Sequence, residues 1–156
     1  MPKKNIDYSK IIIYKIVCND LNITDVYVGH TTNFIKRKAK HKANCNNING
    51  KAYNFKIYNT IRNNMGWLNW SMIEIENYLC NDINEACARE RYWYELLNAK
   101  LNKNCPGRNN KEYYQDNKDK INTPYICDIC NRRYTHTHRA KHCNSQKHQT
   151  ALNNND

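Results

Sequence analysis

Apolar residues are spread unevenly along this chain: β-branched and aromatic runs recur from Ile11 to about Asn104, and from Pro106 onward the composition turns charged and polar with few aliphatics. A segment poor in apolar residues cannot bury enough surface to offset the entropy of ordering its backbone. The two parts must therefore be held together by different means. With 156 residues in all, the chain suits a domain of about 100 residues plus a small appended module. The boundaries expected are a first domain over 9–105, a charged linker over 106–123, a compact module over 124–149 and a disordered, Asn-rich tail over 150–156.

In the first part, Ile11 to Val17 is β-branched and aromatic, ends at the turn-like Asn19-Asp20, and is followed by the short run Val26-Tyr27-Val28, which predicts a hairpin. After Gly29, the hydroxyls of Thr31 and Thr32 are candidate caps for a helix from about Asn33 to His41. That helix and the residue after it carry Lys36, Arg37, Lys38, Lys40, His41 and Lys42 without an acidic residue. A second helix is expected from Phe55 to Arg62, with Ile57, Tyr58 and Ile61 on one side, closing near Met65-Gly66. Trp70 to Glu76 alternates over part of its length and predicts a third strand. Asn84 is the expected cap of a last helix over Glu85 to Asn98.

Charge and cysteine usage limit the partners and the compartment. A net charge of +11 favours polyanions, because each Lys or Arg placed on a phosphate releases condensed counterions. Nucleic acid is the leading candidate and an anionic membrane the second. The start Met1-Pro2-Lys3-Lys4 has no apolar run behind it and no stretch reaches the length of a bilayer span, so an intracellular protein is expected. Eight cysteines in that compartment are expected to be reduced or metal-bound. Cys18, Cys45, Cys80, Cys87 and Cys105 stand singly and are expected to be small buried hydrophobes.

The two hairpin strands contain Ile12-Ile13-Tyr14 and Tyr27-Val28-Gly29; Arg37 follows eight residues after Gly29 and His41 four after that, on one helix face. Further on, Ala88-Arg89-Glu90-Arg91-Tyr92-Trp93-Tyr94-Glu95 places Glu90 on a stripe with Ala86, Trp93 and Leu97. A carboxylate on an apolar stripe needs a compensating cation. From the residues alone that cation is either an arginine or a bound metal. Together these segments resemble the GIY-YIG nucleases across about 90 residues, with Ile12 in place of the first glycine of the name-giving motif. The resemblance implies an α/β fold, a small three-stranded, largely antiparallel sheet flanked by helices. It implies that Glu90 holds Mg²⁺ or Mn²⁺, that Arg37 binds the scissile phosphate, and that Tyr14 helps to deprotonate the attacking water. Tyr27 and His41 would assist by hydrogen bonding or proton transfer, with Gly29 and a late asparagine, Asn102 ahead of Asn98 and Asn104, completing the active site. A tyrosine base would need Lys15, Arg37 or the metal to lower its ordinary pKa of about 10.

The last segment contains Cys127-x2-Cys130-x11-His142-x5-His148, close to the two-cysteine, two-histidine spacing that surrounds Zn²⁺ tetrahedrally. Tyr125 and Tyr134 sit where the small core of such a zinc finger takes aromatics. His136, His138 and Cys143 are alternative ligands. Arg132, Arg133, Arg139, Lys141 and Lys147 give the module a basic surface suited to phosphates. The combined reading is a metal-dependent endonuclease of mobile or homing type acting on DNA, monomeric and without a membrane partner, whose structural-zinc finger binds DNA or RNA. A structure-specific repair or recombination nuclease and a catalytically inactive nucleic-acid-binding protein are the alternatives.

Overall fold

A computed structural model describes residues 6–154, and the chain divides into two compact units after Gly107. In the first unit, β1 (Ile11–Cys18), β2 (Val26–Thr31) and a third strand over 70–78 form one antiparallel sheet with β1 at its centre. The Ile-rich sequence of β1 follows from that position, since a strand covered on both faces must be apolar on both. Ile11 and Ile13 point to one face, with Val28, Ala86 and Ala99. Tyr14, Ile16 and Cys18 point to the other, with Cys45, Ile57, Tyr58 and Ile61.

Helix α1 (Phe34–Asn46) runs five residues beyond its expected end. Its cap is Asn33, whose side chain accepts from the backbone N–H of Lys36; Thr31 instead accepts from the Asn33 N–H, just outside the helix. Helix α2 (Lys56–Asn63) presents Ile57, Tyr58 and Ile61 to the core, and Met65 and Gly66, with φ of 67° and 74°, turn the chain out of it. Strand β3 (Trp70–Tyr78) carries a bulge, because Ile13 pairs with Glu76 and Tyr14 with Glu74, leaving Ile75 unpaired. The bulge interrupts the alternation of β3 and sends Glu76 and Tyr78 to the same face as Ile13. There Glu76 accepts from Arg89 and Trp93 of α3 (Ile83–Leu96). Asp82, rather than Asn84, caps α3 by accepting from the N–H groups of Asn84 and Glu85. The sheet is thus a middle layer, with α1 and α2 on one face and α3 on the other.

β2 is an edge strand, and its outward backbone groups are closed by the segment after α3. The Leu101 N–H donates to the Val26 carbonyl. The Asn102 amide donates to the Val28 carbonyl at 2.7 Å and accepts from the Val28 N–H at 3.0 Å, reproducing a strand pairing with one side chain. Cys18, Cys45 and Cys80 are buried as expected, while Cys87 and Cys105 are half-buried.

In the second unit, residues 110–122 of the expected linker form helix α4 (Asn110–Asn122), opened by a reciprocal capping box between Asn109 and Glu112. The hairpin of β4 (Pro124–Ile126) and β5 (Arg133–Thr135) follows, then α5 (Arg139–Cys143) and α6 (Gln146–Asn153). Residues 150–153, expected to be disordered, are helical because they continue the helix that carries buried His148. The last two residues of that expected tail lie outside the described residues.

Replacing Asn102 with Ala removes both partners of Val28 at the sheet edge. The expected cost is about 2 kcal/mol, read by urea unfolding followed through Trp67, Trp70 and Trp93, all of which lie in the first unit.

Candidate functional site

The register of the hairpin sets Tyr14 directly opposite Gly29. A Cβ on Gly29 would stand 2.5 Å from the Tyr14 hydroxyl oxygen and 3.1 Å from the Tyr27 ring. The glycine is therefore required for space, and its missing side chain is the room that the Tyr14 hydroxyl occupies. That hydroxyl accepts from Nε of Arg37 at 2.8 Å and lies 2.9 Å from Nε2 of His41. Nδ1 of His41 is in turn 2.9 Å from the Tyr58 hydroxyl, which also accepts from the Asn44 amide. Arg37 and His41 meet at this hydroxyl because they lie one helical turn apart on α1.

Burial decides the protonation of this network. His41 is 3% exposed and ringed by Tyr14, Tyr27, Tyr58 and Trp67. Desolvation, helped by the nearby Arg37 and Lys40 charges, pulls its pKa down to about 3. A neutral imidazole has one donor and one acceptor nitrogen, so Tyr14, His41 and Tyr58 form a continuous hydrogen-bonded chain. Burial pushes the Tyr14 phenol up, and Arg37 opposes this without reversing it. Tyr27 is likewise raised by burial. Of the groups expected to lower Tyr14, Arg37 touches its hydroxyl, and desolvation outweighs that one cation.

A cleft of about 520 Å³ is lined by Tyr27, Arg37, Asn44, Glu90, Asn102 and Lys103, among others. It wraps around the β2 edge: Tyr27 and Arg37 come from the α1 side of the sheet and Glu90 from α3. Tyr14 is 0% exposed and lies beneath this wall. Arg37 and His41 both line the cleft, His41 at its floor among its aromatic neighbours. Asn102 lines the cleft while both ends of its amide are engaged by Val28. Tyr53, between α1 and α2, packs under the Arg62 guanidinium at 3.6 Å from its ring centre.

Among the described residues Glu90 pairs with no arginine. The flanking arginines turn away, Arg89 to Glu76 and Arg91 to Glu95, and Glu90 meets Nδ1 of His30. Sequence reasoning missed His30, although strand alternation places it with Val28 on the face toward α3. It also read Tyr58 only as a core residue. A carboxylate on a polar cleft wall, with no Lys or Arg partner among the described residues, has the oxygen chemistry that a hard divalent cation takes.

The four expected thiol and imidazole ligands of the second unit converge. Cys127, Cys130, His142 and His148 offer donor atoms within 4.8 Å of one another. Cys127 Sγ lies 3.4 Å from Nδ1 of His148, and Cys130 Sγ 3.5 Å from Nε2 of His142. Those separations match the sulfur-to-nitrogen edge of a tetrahedral zinc site, about 3.5 Å for ordinary Zn–S and Zn–N bonds. Backbone N–H groups, that of Cys130 foremost, hold the Cys127 thiol below its usual range. Burial lowers His142, so both shifts favour the forms that bind metal. The four residues could hold zinc. His136, His138 and Cys143 are outside the cluster, and His138 Nδ1 is hydrogen-bonded to Thr135.

The family model of the GIY-YIG catalytic domain matches residues 10–104, well over half of the chain. This protein belongs to the GIY-YIG nuclease superfamily, and nucleic acid is its class of substrate. No curated protein and no solved structure matches the chain. Among the described residues no helix is long and apolar enough to cross a membrane.

The depressed His41 pKa fixes the sign of an acid effect. The unfolded state takes up a proton near pH 6.5 and the folded state only near 3, so this contribution is complete above pH 6.5 and is lost as pH falls toward 3. One proton of difference amounts to about 2 kcal/mol between pH 6.5 and 5. Urea midpoints read by tryptophan fluorescence should fall over that range, and His41→Gln should flatten the fall.

Proposed function

We propose that this protein is a metal-dependent DNA endonuclease of the mobile or homing type, in which the first unit cuts and the zinc-bearing second unit prolongs contact with nucleic acid. The observation that carries the reading is one cleft joining Arg37, Tyr27 and Glu90, with the Tyr14 hydroxyl fixed to Arg37 beneath it. Exposed Lys36, Lys38, Lys40 and Lys42 on α1 have no acidic partner among the described residues and provide a track for the phosphate backbone.

Hydrolysis joins a water oxygen to phosphorus and breaks the bond to the leaving oxygen, and the proton that the water gives up is balanced by the one that the leaving oxygen takes. Arg37 places its guanidinium on the scissile phosphate and compensates the charge that develops there. Tyr14 holds Nε of that guanidinium, so its part is positioning, and its proton remains in the chain with His41 and Tyr58. Tyr27, which lines the cleft, hydrogen-bonds the attacking water. Glu90 would hold Mg²⁺ or Mn²⁺, which when bound supplies a positive charge beside the phosphoryl oxygens. The second unit is joined to the nuclease through one chain, so binding at one raises the effective concentration of DNA at the other.

Nicking of supercoiled plasmid in Mg²⁺ or Mn²⁺ tests the enzyme reading. Glu90→Gln and Arg37→Ala are each expected to slow it about a hundredfold or more, and cleavage by Glu90→Gln at the parent rate would falsify the metal assignment. A preference for branched over plain duplexes would favour the repair alternative, and nucleic-acid binding without nicking the inactive one.

The second unit has too small a core to fold unaided, and structural zinc contributes on the order of 10 kcal/mol. The purified protein should carry one equivalent of zinc per chain. Chelation should unfold 124–153, measured as lost helical circular dichroism, while the tryptophan fluorescence of the first unit stays unchanged.

A further inference from the structure

Glu90 is held from behind by a residue that the reading above leaves without a role. Along β2, Tyr27 packs with the Tyr14 cluster and Val28 with the α3 cluster. His30 therefore points toward α3. Its Nδ1 contacts Oε2 of Glu90, with the two side chains 20% and 13% exposed. Glu90 lines the cleft whereas His30 does not, so the imidazole backs the carboxylate and leaves Oε1 free. Its neighbours cannot substitute, since Arg89 and Arg91 are committed to Glu76 and Glu95. Glu90 has no other hydrogen-bond partner among the described residues.

We propose that His30 is the positioning residue for Glu90: by donating from Nδ1 it fixes the carboxylate so that the oxygen left free meets the divalent cation in the cleft. This rests on the assignment of Glu90 as the metal-holding group. The donation requires a hydrogen on Nδ1, which both the imidazolium and one neutral tautomer carry. Hydrogen bonds that orient a ligating group from outside the coordination sphere are commonly worth tenfold to a hundredfold in metal affinity. The rotamer of a half-buried glutamate on a helix is otherwise free to swing its charge away from the cleft. An asparagine at position 30 would present an amide N–H the same number of bonds from the backbone as Nδ1, whereas leucine would fill the space without donating.

The test is Mn²⁺ binding to the zinc-loaded full chain, measured by the electron paramagnetic resonance of free Mn²⁺. The parent, Glu90→Gln, His30→Leu, His30→Ala and His30→Asn are compared, with circular dichroism and urea midpoints recording that each is folded. Glu90→Gln should abolish binding. His30→Leu and His30→Ala should raise the Kd about tenfold to a hundredfold, and His30→Asn should stay within about threefold of the parent. Parent-like affinity in His30→Leu and His30→Ala overturns the proposal and leaves the Glu90 assignment intact. A loss in His30→Asn as large as in His30→Leu also overturns it, because the imidazole would then matter for something other than its donor. Parent-like binding by Glu90→Gln instead removes the metal assignment on which the proposal stands.

Discussion

The contact on which the first unit turns is the Tyr14 hydroxyl lying where Gly29 has no side chain. A hydroxyl buried at 0% exposure must be paired, and this one is satisfied by two residues of α1, Arg37 and His41. The chain of bonds continues through His41 to Tyr58 of α2. One phenol thereby ties the central strand to both helices on that face. It also takes Nε of Arg37, whose guanidinium is further hydrogen-bonded to Tyr27 on the cleft wall. Any side chain at position 29 would push the hydroxyl off this point and disturb all of these bonds together.

The site occurs at a sheet edge, and the edge explains its composition. β2 has β1 on one side only, so its outer backbone groups need partners, and Leu101 and Asn102 supply them. Groups from opposite faces of the sheet can meet only around such an edge. Arg37 and Tyr27 reach the cleft from one face and Glu90 from the other, with His30 standing behind the carboxylate. Burial keeps the phenols protonated and His41 neutral, so the charges exposed to the cleft are the guanidinium, the carboxylate and the lysines around them.

The second unit solves a different folding problem. Its helix α4 buries no side chain, and its most enclosed residues are Cys127 and His148, both members of the four-residue cluster. The five residues between His142 and His148 would place the two imidazoles about 240° apart on one continuous helix. The break at Asn144-Ser145 between α5 and α6 brings both rings to one point. The break is thus what lets the four side chains that could hold a metal converge.

Much of this arrangement is written locally. The Ile-rich run of β1, the motif around Tyr27 and Gly29, the spacing of Arg37 and His41, and the cysteine and histidine intervals each depend on neighbours within one or two turns, and so they can be read from the order of residues. The caps of α1 and α3 were misplaced because several adjacent Thr, Asn and Asp side chains can serve, and backbone geometry selects one. What only the tertiary structure decided are contacts between residues far apart in the chain. His30 with Glu90, Tyr58 with His41 and Asn102 with Val28 join segments that share no periodicity. The enclosure that holds His41 neutral and keeps Tyr14 protonated arises from layers closing over them, and desolvation is a property of that packed surround which no local spacing encodes.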